Sequence, residues 1–136
     1  MNKILQDIWI LTNSGTVLWS RVYDAKMDDQ LFGALMSAVN TFAKQISNQG
    51  LTTIELTDKT FVLHKKEGLL FITNAPIKTH KKRIKRELQW IADKFIQTYS
   101  NDLEFWNKDT LLFSDFKNII ENSLEDPIDK LKKSFW

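Results

Sequence analysis

The sequence of 136 residues contains no cysteine, only two prolines and only four glycines. Without cysteine the chain has no disulfide, no thiolate zinc site, no iron–sulfur cluster and no cysteine nucleophile. Few glycines argue against a phosphate-binding glycine-rich loop, and neither the GxxxxGK[ST] nor the GxSxG pattern occurs. A chain of this length forms one domain and buries enough surface to fold without a cross-link.

Long apolar runs are also missing. No stretch of about 18 apolar residues occurs, so the sequence predicts no membrane-spanning helix. Near the N-terminus Gln6 and Asp7 interrupt the apolar residues, and no small-residue cleavage site follows, which argues against a secretory signal. Asn2 replaces the glycine that myristoylation requires. We therefore expect a cytoplasmic protein.

One segment of the chain has an excess of basic residues and another has an excess of acidic residues, although the formal net charge is only +2. Residues 1–77 contain seven Lys or Arg and seven Asp or Glu, residues 78–100 contain seven and two, and residues 101–136 contain five and eight. One basic and one acidic segment therefore nearly cancel. Sixteen of the nineteen basic residues are lysines, which are less suited than arginine to bidentate recognition of phosphate or guanine.

Hydrophobic periodicity predicts that the chain begins with an antiparallel hairpin. Residues 8–11 are apolar on both faces of a strand, residues 13–16 form a turn, and residues 17–23 return as a second strand. Strict alternation places Val17 and Trp19 on the same face of that second strand.

A helix is predicted over residues 29–48, with Asp28 or Asp29 as its N-cap. Its apolar residues recur at spacings of four, three, four and four and form one stripe: Leu31, Leu35, Ala38, Phe42 and Ile46. A stripe of this kind usually packs on a core, so we expect Leu35 and Phe42 to be buried. Truncation of Phe42 to Ala would then cost about 3–5 kcal/mol.

Three short strands are predicted next, at residues 51–57, 60–65 and 69–73. They are separated by turns at residues 58–59 and 65–68. Connections this short join antiparallel neighbours, so the three strands form a meander.

A second long helix is predicted over residues 78–99, with Thr79 as its cap. Its apolar residues again recur at spacings of four, three, four and four: Ile84, Leu88, Ile91, Phe95 and Tyr99. Beyond Asn101 the apolar residues between 112 and 124 indicate a third helix. Asp126-Pro127 then begins a short amphipathic helix or tail over residues 126–136, so the main domain is expected over residues 1–125.

The resulting order, β-β-α-β-β-β-α-α, predicts an α+β fold with a five-stranded antiparallel sheet and helices packed on it. A doubly wound nucleotide-binding sheet is excluded, because its parallel strands require helical crossovers. We expect Ile10, Phe71, Ile91 and Phe95 in the core. Trp9, Trp19 and Trp90 lie within patterned elements and are expected there too.

Residue types that perform catalysis or bind metals are sparse. His64 and His80 are the only histidines, and they lie on different predicted elements. The carboxylate pairs Asp28-Asp29 and Glu125-Asp126 adjoin helix starts, where capping explains them. We therefore predict no enzyme activity, no catalytic residue, no metal site and no cofactor.

A basic cluster at the start of the second long helix conflicts with a local rule. Its members are Lys78, Lys81, Lys82, Arg83, Lys85 and Arg86. Cations there face the positive end of the helix dipole and lower stability. The compensation would be an acidic partner or an anionic membrane surface. The alternative is a solvated helix end, or pairing with the acidic C-terminal third. Nucleic acid is not favoured, because arginine is scarce and no aromatic residue is interleaved.

The order of elements and two local patterns resemble the longin-like (SNARE-like) domain superfamily. Ile8-Trp9-Ile10-Leu11, Ser14-Gly15 and Leu18-Trp19-Ser20-Arg21-Val22-Tyr23 are similar to the first hairpin of these domains. Phe113-Ser114-Asp115-Phe116 is similar to the spaced phenylalanines that open their last helix. No heptad-repeat SNARE motif follows, so we expect a stand-alone longin domain. The related roadblock fold and profilin begin with a helix that is not predicted here.

The resemblance implies a non-catalytic protein-interaction module, an adaptor or regulator of small GTPases or of membrane-trafficking-type complexes. Its partner would be a small GTPase or another longin- or roadblock-like subunit, with a homodimer as one form. The alternative is a peripheral membrane-surface binder that uses the basic cluster.

The resemblance also implies where a partner would bind. Longin-like domains use the first helix, the groove beside the third strand, and sheet edges. The third strand, at residues 51–57, is expected at an edge, where Thr52, Thr53 and Glu55 provide one charge and no proline against pairing. We expect this strand, with the neighbouring helix, to pair with a second chain.

Overall fold

The computed structural model describes residues 6–22, 28–48, 50–104 and 110–120. Their secondary structure follows the predicted order. The elements are β1 (Ile8–Thr12), β2 (Val17–Arg21), α1 (Asp29–Ile46), β3 (Thr53–Glu55), β4 (Lys59–Lys66), β5 (Leu69–Pro76), α2 (Lys81–Glu104), a 3-10 helix (Thr110–Phe113) and α3 (Phe116–Ile120). The predicted helix or tail at 126–136, and the domain limit before it, lie outside the described residues.

The five strands form one antiparallel sheet in the order β2-β1-β5-β4-β3. The central strand, β5, pairs with β1 on one side and with β4 on the other. It therefore joins the N-terminal hairpin to the meander, and β2 and β3 lie at the two ends of this order. The predicted α+β fold and the edge position of the third strand are confirmed. That strand is shorter than predicted, because its ladder with β4 covers only Thr53 to Glu55.

Helices cover both faces of the sheet. On one face the apolar stripe of α2 packs with side chains of the 3-10 helix and α3 around Ile10 and Phe71, as expected for Ile91 and Phe95. Ring contacts hold this layer together: Phe95 meets Phe116 edge to face, with centroids 5.0 Å apart. On the other face α1 packs on a second, smaller cluster of apolar residues.

A β-bulge in β2 alters which side chains share a face. Ile10 pairs with Trp19 and Leu11 pairs with Val17, so Leu18 is left over between the two pairs. A bulge interrupts the strict alternation of side chains along a strand. Leu18 and Trp19 both join the core on the α2 side, whereas Val17 joins the cluster on the α1 side. The prediction that Val17 and Trp19 share a face was therefore wrong.

The orientation of α1 differs most from expectation. The helix begins as predicted, because the Asp28 carboxylate accepts hydrogen bonds from the Gln30 and Leu31 N–H groups. Leu35 and Phe42, however, are 50% and 65% exposed. The prediction that both are buried was wrong. The buried residues of α1 lie on another side of the helix: Gly33, Met36 and Asn40.

Close backbone contact fixes this orientation. Gly33 lies against Gly15 in the β1–β2 turn, and a Cβ atom built at Gly33 would be 2.3 Å from the Gly15 carbonyl oxygen. Because glycine has no side chain, the helix can approach the turn this closely at Gly33. Next to Gly33 runs a second apolar row, at spacings of four, three and four: Phe32, Met36, Val39 and Ala43. This row is half-buried to buried, and the first row faces outward.

Two smaller expectations also need correction. Trp9 and Trp19 are buried as expected, but Trp90 is 40% exposed on α2 and is not a core residue. It lies off the α2 stripe, whose spacing already fills the side that faces the sheet. The helix α2 begins at Lys81, so His80 precedes it where Thr79 was expected, and the His80 carbonyl accepts from Arg83 and Ile84. In the described part of the chain, no helix combines the length and apolar character needed to span a bilayer.

Candidate interaction surfaces

The outward face of α1 is the most conspicuous apolar surface of the described residues. We call it the α1 stripe, and its members are Leu31, Leu35, Ala38, Phe42 and Ile46. Its four large side chains are between one half and three quarters exposed. Single exposed leucines are ordinary on protein surfaces, whereas a row of them along one helix is typical of an interaction site. Sequence reasoning found these residues but assigned them to the core.

The helix that carries the stripe is held firmly on the hairpin. The Gln30 side chain donates to the Val17 carbonyl at 3.2 Å and accepts from the Val17 N–H at 3.0 Å. Ser37 donates to the Asn13 carbonyl in the β1–β2 turn. Phe32 stacks on Trp9 with ring centroids 4.2 Å apart. The stripe is thus presented by a helix whose opposite side is anchored at several points.

The β3 edge is the second surface. Thr53 lies opposite Val62 and Glu55 opposite Thr60, while the Leu63 N–H bonds to the Thr52 carbonyl at 2.9 Å. In an antiparallel ladder alternate residues direct their backbone groups to opposite sides. The backbone groups of Thr53 and Glu55 therefore point away from β4. Of the predicted edge residues, Thr52 and Glu55 are exposed and Thr53 is half-buried.

A buried asparagine connects the two surfaces. The Asn40 Oδ1 atom accepts a hydrogen bond of 3.3 Å from the Leu51 N–H, just before β3. Asn40 is 4% exposed, so this bond satisfies a polar group that would be costly to bury alone. The start of β3 is therefore anchored to α1. The only hint in the sequence is a polar residue on an otherwise apolar side of the helix.

The basic cluster forms a third surface, at the start of α2. All six cationic residues are exposed. Residues 78–83 and Arg86 line an open depression of about 730 Å³. Lys81 forms an ion pair with Glu55 of β3, so the structure brings together two groups of predicted site residues that the sequence had placed separately. Pairing of the cluster with the acidic C-terminal third concerns residues that are mostly outside the described ranges.

His64 lies on β4 beside α2, where Lys85 and Gln89 help to line a cleft of about 200 Å³. Burial lowers the pKa of His64 below its usual value, Asp93 opposes this effect, and Lys66 adds to it. Lys66 and Asp93 themselves form an ion pair. Among the described residues, no three His, Asp or Glu side chains are grouped closely enough to hold a metal ion.

Comparison with known proteins identifies the family of this chain and the fold that it shares with solved structures. A family model described as the first longin domain of FUZ, MON1 and HPS1 matches residues 6–130. The roadblock/LC7 domain from Streptomyces avermitilis has a similar structure, with a TM-score of 0.58 and 14% identity, over 71% of this chain and 85% of that one. Myxococcus xanthus MglB gives 0.60 and 10% over the same shares. At these identities the likeness shows the fold. No curated protein matches the sequence.

Proposed function

This chain belongs to the family of first longin domains of FUZ, MON1 and HPS1, and on that premise we propose that it pairs with a second longin- or roadblock-like subunit as an adaptor or regulator of small GTPases. It is a longin-like interaction module by family. In this proposal it acts in the cytoplasm and is not itself a catalyst. The pairing surface consists of the α1 stripe and the β3 edge.

The α1 stripe carries the proposal. Covering the exposed half of each large side chain contributes on the order of 1 kcal/mol, hence roughly 4 kcal/mol for the row. Association costs at least about 4 kcal/mol in lost translational and rotational freedom. The stripe by itself therefore barely offsets that cost, and a stable complex needs a further contact.

The β3 edge supplies that contact. Each backbone hydrogen bond added at Thr53 or Glu55 contributes about 0.5–1.5 kcal/mol, and strand addition is a common way for sheet edges to bind. A second subunit of the same fold offers both a helix and an edge strand. A two-fold arrangement would pack α1 on its equivalent and pair β3 with its equivalent. A homodimer is the simplest assembly of this kind.

Sedimentation velocity over a range of concentrations tests the pairing. We expect the wild-type chain to dimerise, or to bind a longin-like partner, and we expect Phe42→Glu and Thr53→Pro to abolish this association. Phe42→Glu places a charge in the apolar contact, and Thr53→Pro removes one outward N–H from an edge strand. Thr41→Glu is the matched control: it adds the same charge to the neighbouring exposed residue, outside the stripe.

Two results would contradict the pairing. One is a wild-type chain that stays monomeric at high concentration while no longin-like partner protects the β3 amides from hydrogen exchange. The other is equal loss of association in Thr41→Glu and Phe42→Glu, which would indicate a general effect of charge.

The regulatory part of the proposal needs a separate experiment. The immobilised chain is exposed to a panel of small GTPases, each loaded with GDP or with a non-hydrolysable GTP analogue. We expect at least one GTPase to be retained in one of the two states. Retention of none in either state would contradict the regulatory role and leave the pairing test unaffected.

A second candidate function is peripheral binding to an anionic membrane through the basic cluster. Its support is the exposure of all six cations, five of which line one open depression. Such binding requires anionic lipid and weakens with added salt.

A further inference from the structure

Two turns lie side by side at the end of the sheet that adjoins the basic cluster. In the β3–β4 turn the Leu56 N–H donates to the Lys59 carbonyl at 2.8 Å. In the β5–α2 turn the Thr79 N–H donates to the Pro76 carbonyl at 2.9 Å. The Ile77 N–H donates to the Asp58 carbonyl at 3.0 Å and joins the two turns. We call residues 56–59 and 76–80 the tip.

Each turn presents one large aliphatic side chain to solvent. Leu56 is 48% exposed and Ile77 is 37% exposed, and both lie outside the two core clusters of the described residues. Since the backbone hydrogen bond holds the turns together, these two apolar side chains lie at the same end of the sheet.

The chain segments that carry these two side chains are rich in positive charge. Residues 55–59 and 77–86 contain seven Lys or Arg and two carboxylates, and one of the carboxylates, Glu55, is paired with Lys81. The α1 stripe has no comparable concentration of positive charge, because the charged residues of α1 are one carboxylate and one lysine, Asp29 and Lys44. Exposed apolar side chains and concentrated positive charge therefore coincide at the tip.

The size and the chemistry of the tip favour a lipid surface over a protein partner. A stable protein interface buries about 800 Å² on each side, far more than two half-exposed aliphatic side chains provide. At the boundary between lipid headgroups and acyl chains, by contrast, a small buried apolar area and attraction to anionic lipids add together. Lysines suit a diffuse layer of lipid phosphates, because they interact as mobile point charges and not through a fixed bidentate geometry.

We propose that the tip docks on an anionic membrane, with Leu56 and Ile77 inserted at the headgroup boundary and the basic cluster lying over the lipid phosphates. This inference rests on the second candidate function and names the part of the chain that enters the lipid. Insertion and charge attraction make separate contributions, since one depends on apolar area and the other on ionic strength.

Vesicle flotation separates the two contributions. Vesicles of phosphatidylcholine alone are compared with vesicles of phosphatidylcholine mixed with phosphatidylserine. We expect wild-type protein to float only with the mixed vesicles. We expect Lys78→Glu with Lys82→Glu to weaken binding about tenfold or more, and Leu56→Ser with Ile77→Ser to weaken it on the order of tenfold.

Matched variants control for general effects of charge and polarity. Lys44→Glu with Lys117→Glu reverses two exposed lysines away from the tip. Leu111→Ser with Leu112→Ser removes two exposed leucines from the 3-10 helix, outside every proposed surface. Both variants should float like wild type, and thermal melting checks that every variant is folded.

A fluorescent probe tests insertion directly. Because the chain has no cysteine, Ile77→Cys carries a single environment-sensitive dye, and Gln97→Cys, on the exposed side of α2, is the control. We expect the emission of the dye at position 77 to shift to the blue on mixed vesicles, and the emission at position 97 to stay unchanged.

Several outcomes would overturn the inference. Loss of binding in the lysine variant alone, with Leu56→Ser/Ile77→Ser unaffected and no blue shift at position 77, would leave membrane binding intact and refute insertion. Failure of the wild-type chain to float on mixed vesicles would refute both membrane binding and insertion. Equal loss of flotation in the control lysine variant Lys44→Glu/Lys117→Glu would refute both as well. Retention on immobilised heparin without flotation would indicate an acidic macromolecule as the partner and would also contradict insertion.

Discussion

The two long helices have the same spacing of apolar residues and opposite surroundings. In α2 the row from Ile84 to Tyr99 is buried against the sheet, whereas in α1 the row from Leu31 to Ile46 faces outward. Spacing predicts that a helix has an apolar side and does not say what covers that side. In α1 a second apolar row beside Gly33 packs on the sheet, so the first row is left for another contact.

The starts of the two helices differ as well. Asp28 caps α1, and Asp29 follows in its first turn, where negative charge is favoured by the helix dipole. By contrast α2 starts with Lys81, Lys82 and Arg83. Each helix thus has one feature that does not serve its own stability: outward apolar residues in α1 and initial cations in α2. These two features underlie the subunit-pairing and membrane proposals.

The largest expected effect separates the two apolar rows. Phe95→Ala should lower the free energy of unfolding by about 3–5 kcal/mol, because Phe95 is fully buried among aromatic rings. Phe42→Ala should change it by no more than about 0.5 kcal/mol in the isolated chain, because Phe42 is mostly exposed. Urea denaturation of dilute protein measures both. Similar losses in the two variants would show that the outward orientation of α1 is wrong.

A smaller effect tests what holds α1 in that orientation. In an exposed helix, Gly→Ala normally stabilises by about 0.5–1 kcal/mol. Gly33→Ala should instead destabilise by about 1–3 kcal/mol, because the new Cβ would meet the Gly15 carbonyl at 2.3 Å. Ala34, the exposed neighbour of Gly33, provides the comparison. Ala34→Gly should lower the free energy of unfolding by only about 1 kcal/mol, because glycine has a lower helix propensity. Stabilisation by Gly33→Ala would mean that the glycine contact does not set the orientation.

The smallest effect compares charges at the two helices. Lys82→Glu, in the first turn of α2, should stabilise the protein by about 0.3–1 kcal/mol at low salt. Lys44→Glu, in the last turn of α1, loses a favourable dipole interaction but also a repulsion with Lys65, so it should change stability by less. Both changes should shrink in high salt. A marked drop in melting temperature for Lys82→Glu would show that Lys82 is paired within the fold.

The parts of the fold that follow from local pattern could be predicted from the sequence. Strands, helices, the Asp28 cap and the core role of Phe95 all depend on residues close together in the chain. The wrong predictions concern features that are set by contacts between residues far apart in the sequence. The approach of Gly33 to Gly15 decides which row of α1 is buried, and the extra residue at Leu18 moves Trp19 to the other face.

The candidate surfaces likewise have parts that the sequence predicts and parts that only the folded structure shows. The basic cluster and the edge residues Thr53 and Glu55 were found from sequence, since charge and strand order are visible there. The ion pair between Glu55 and Lys81, which connects them, arises only when β3 and the start of α2 meet in space. Leu56 and Ile77 attract no attention in the sequence, because one exposed apolar residue at a turn is ordinary until a backbone hydrogen bond brings two such turns together.

The central position of β5 has a consequence during synthesis of the chain. Ile8 of β1 lies opposite Thr73 of β5, so the nascent N-terminal hairpin leaves the ribosome long before the strand that completes its sheet. Until then one side of β1 is an unpaired edge next to Trp9 and Leu11, which are buried only later. Open edges beside apolar residues promote aggregation. Translation speed between residues 12 and 76, and chaperone access during that interval, will therefore affect the yield of folded protein.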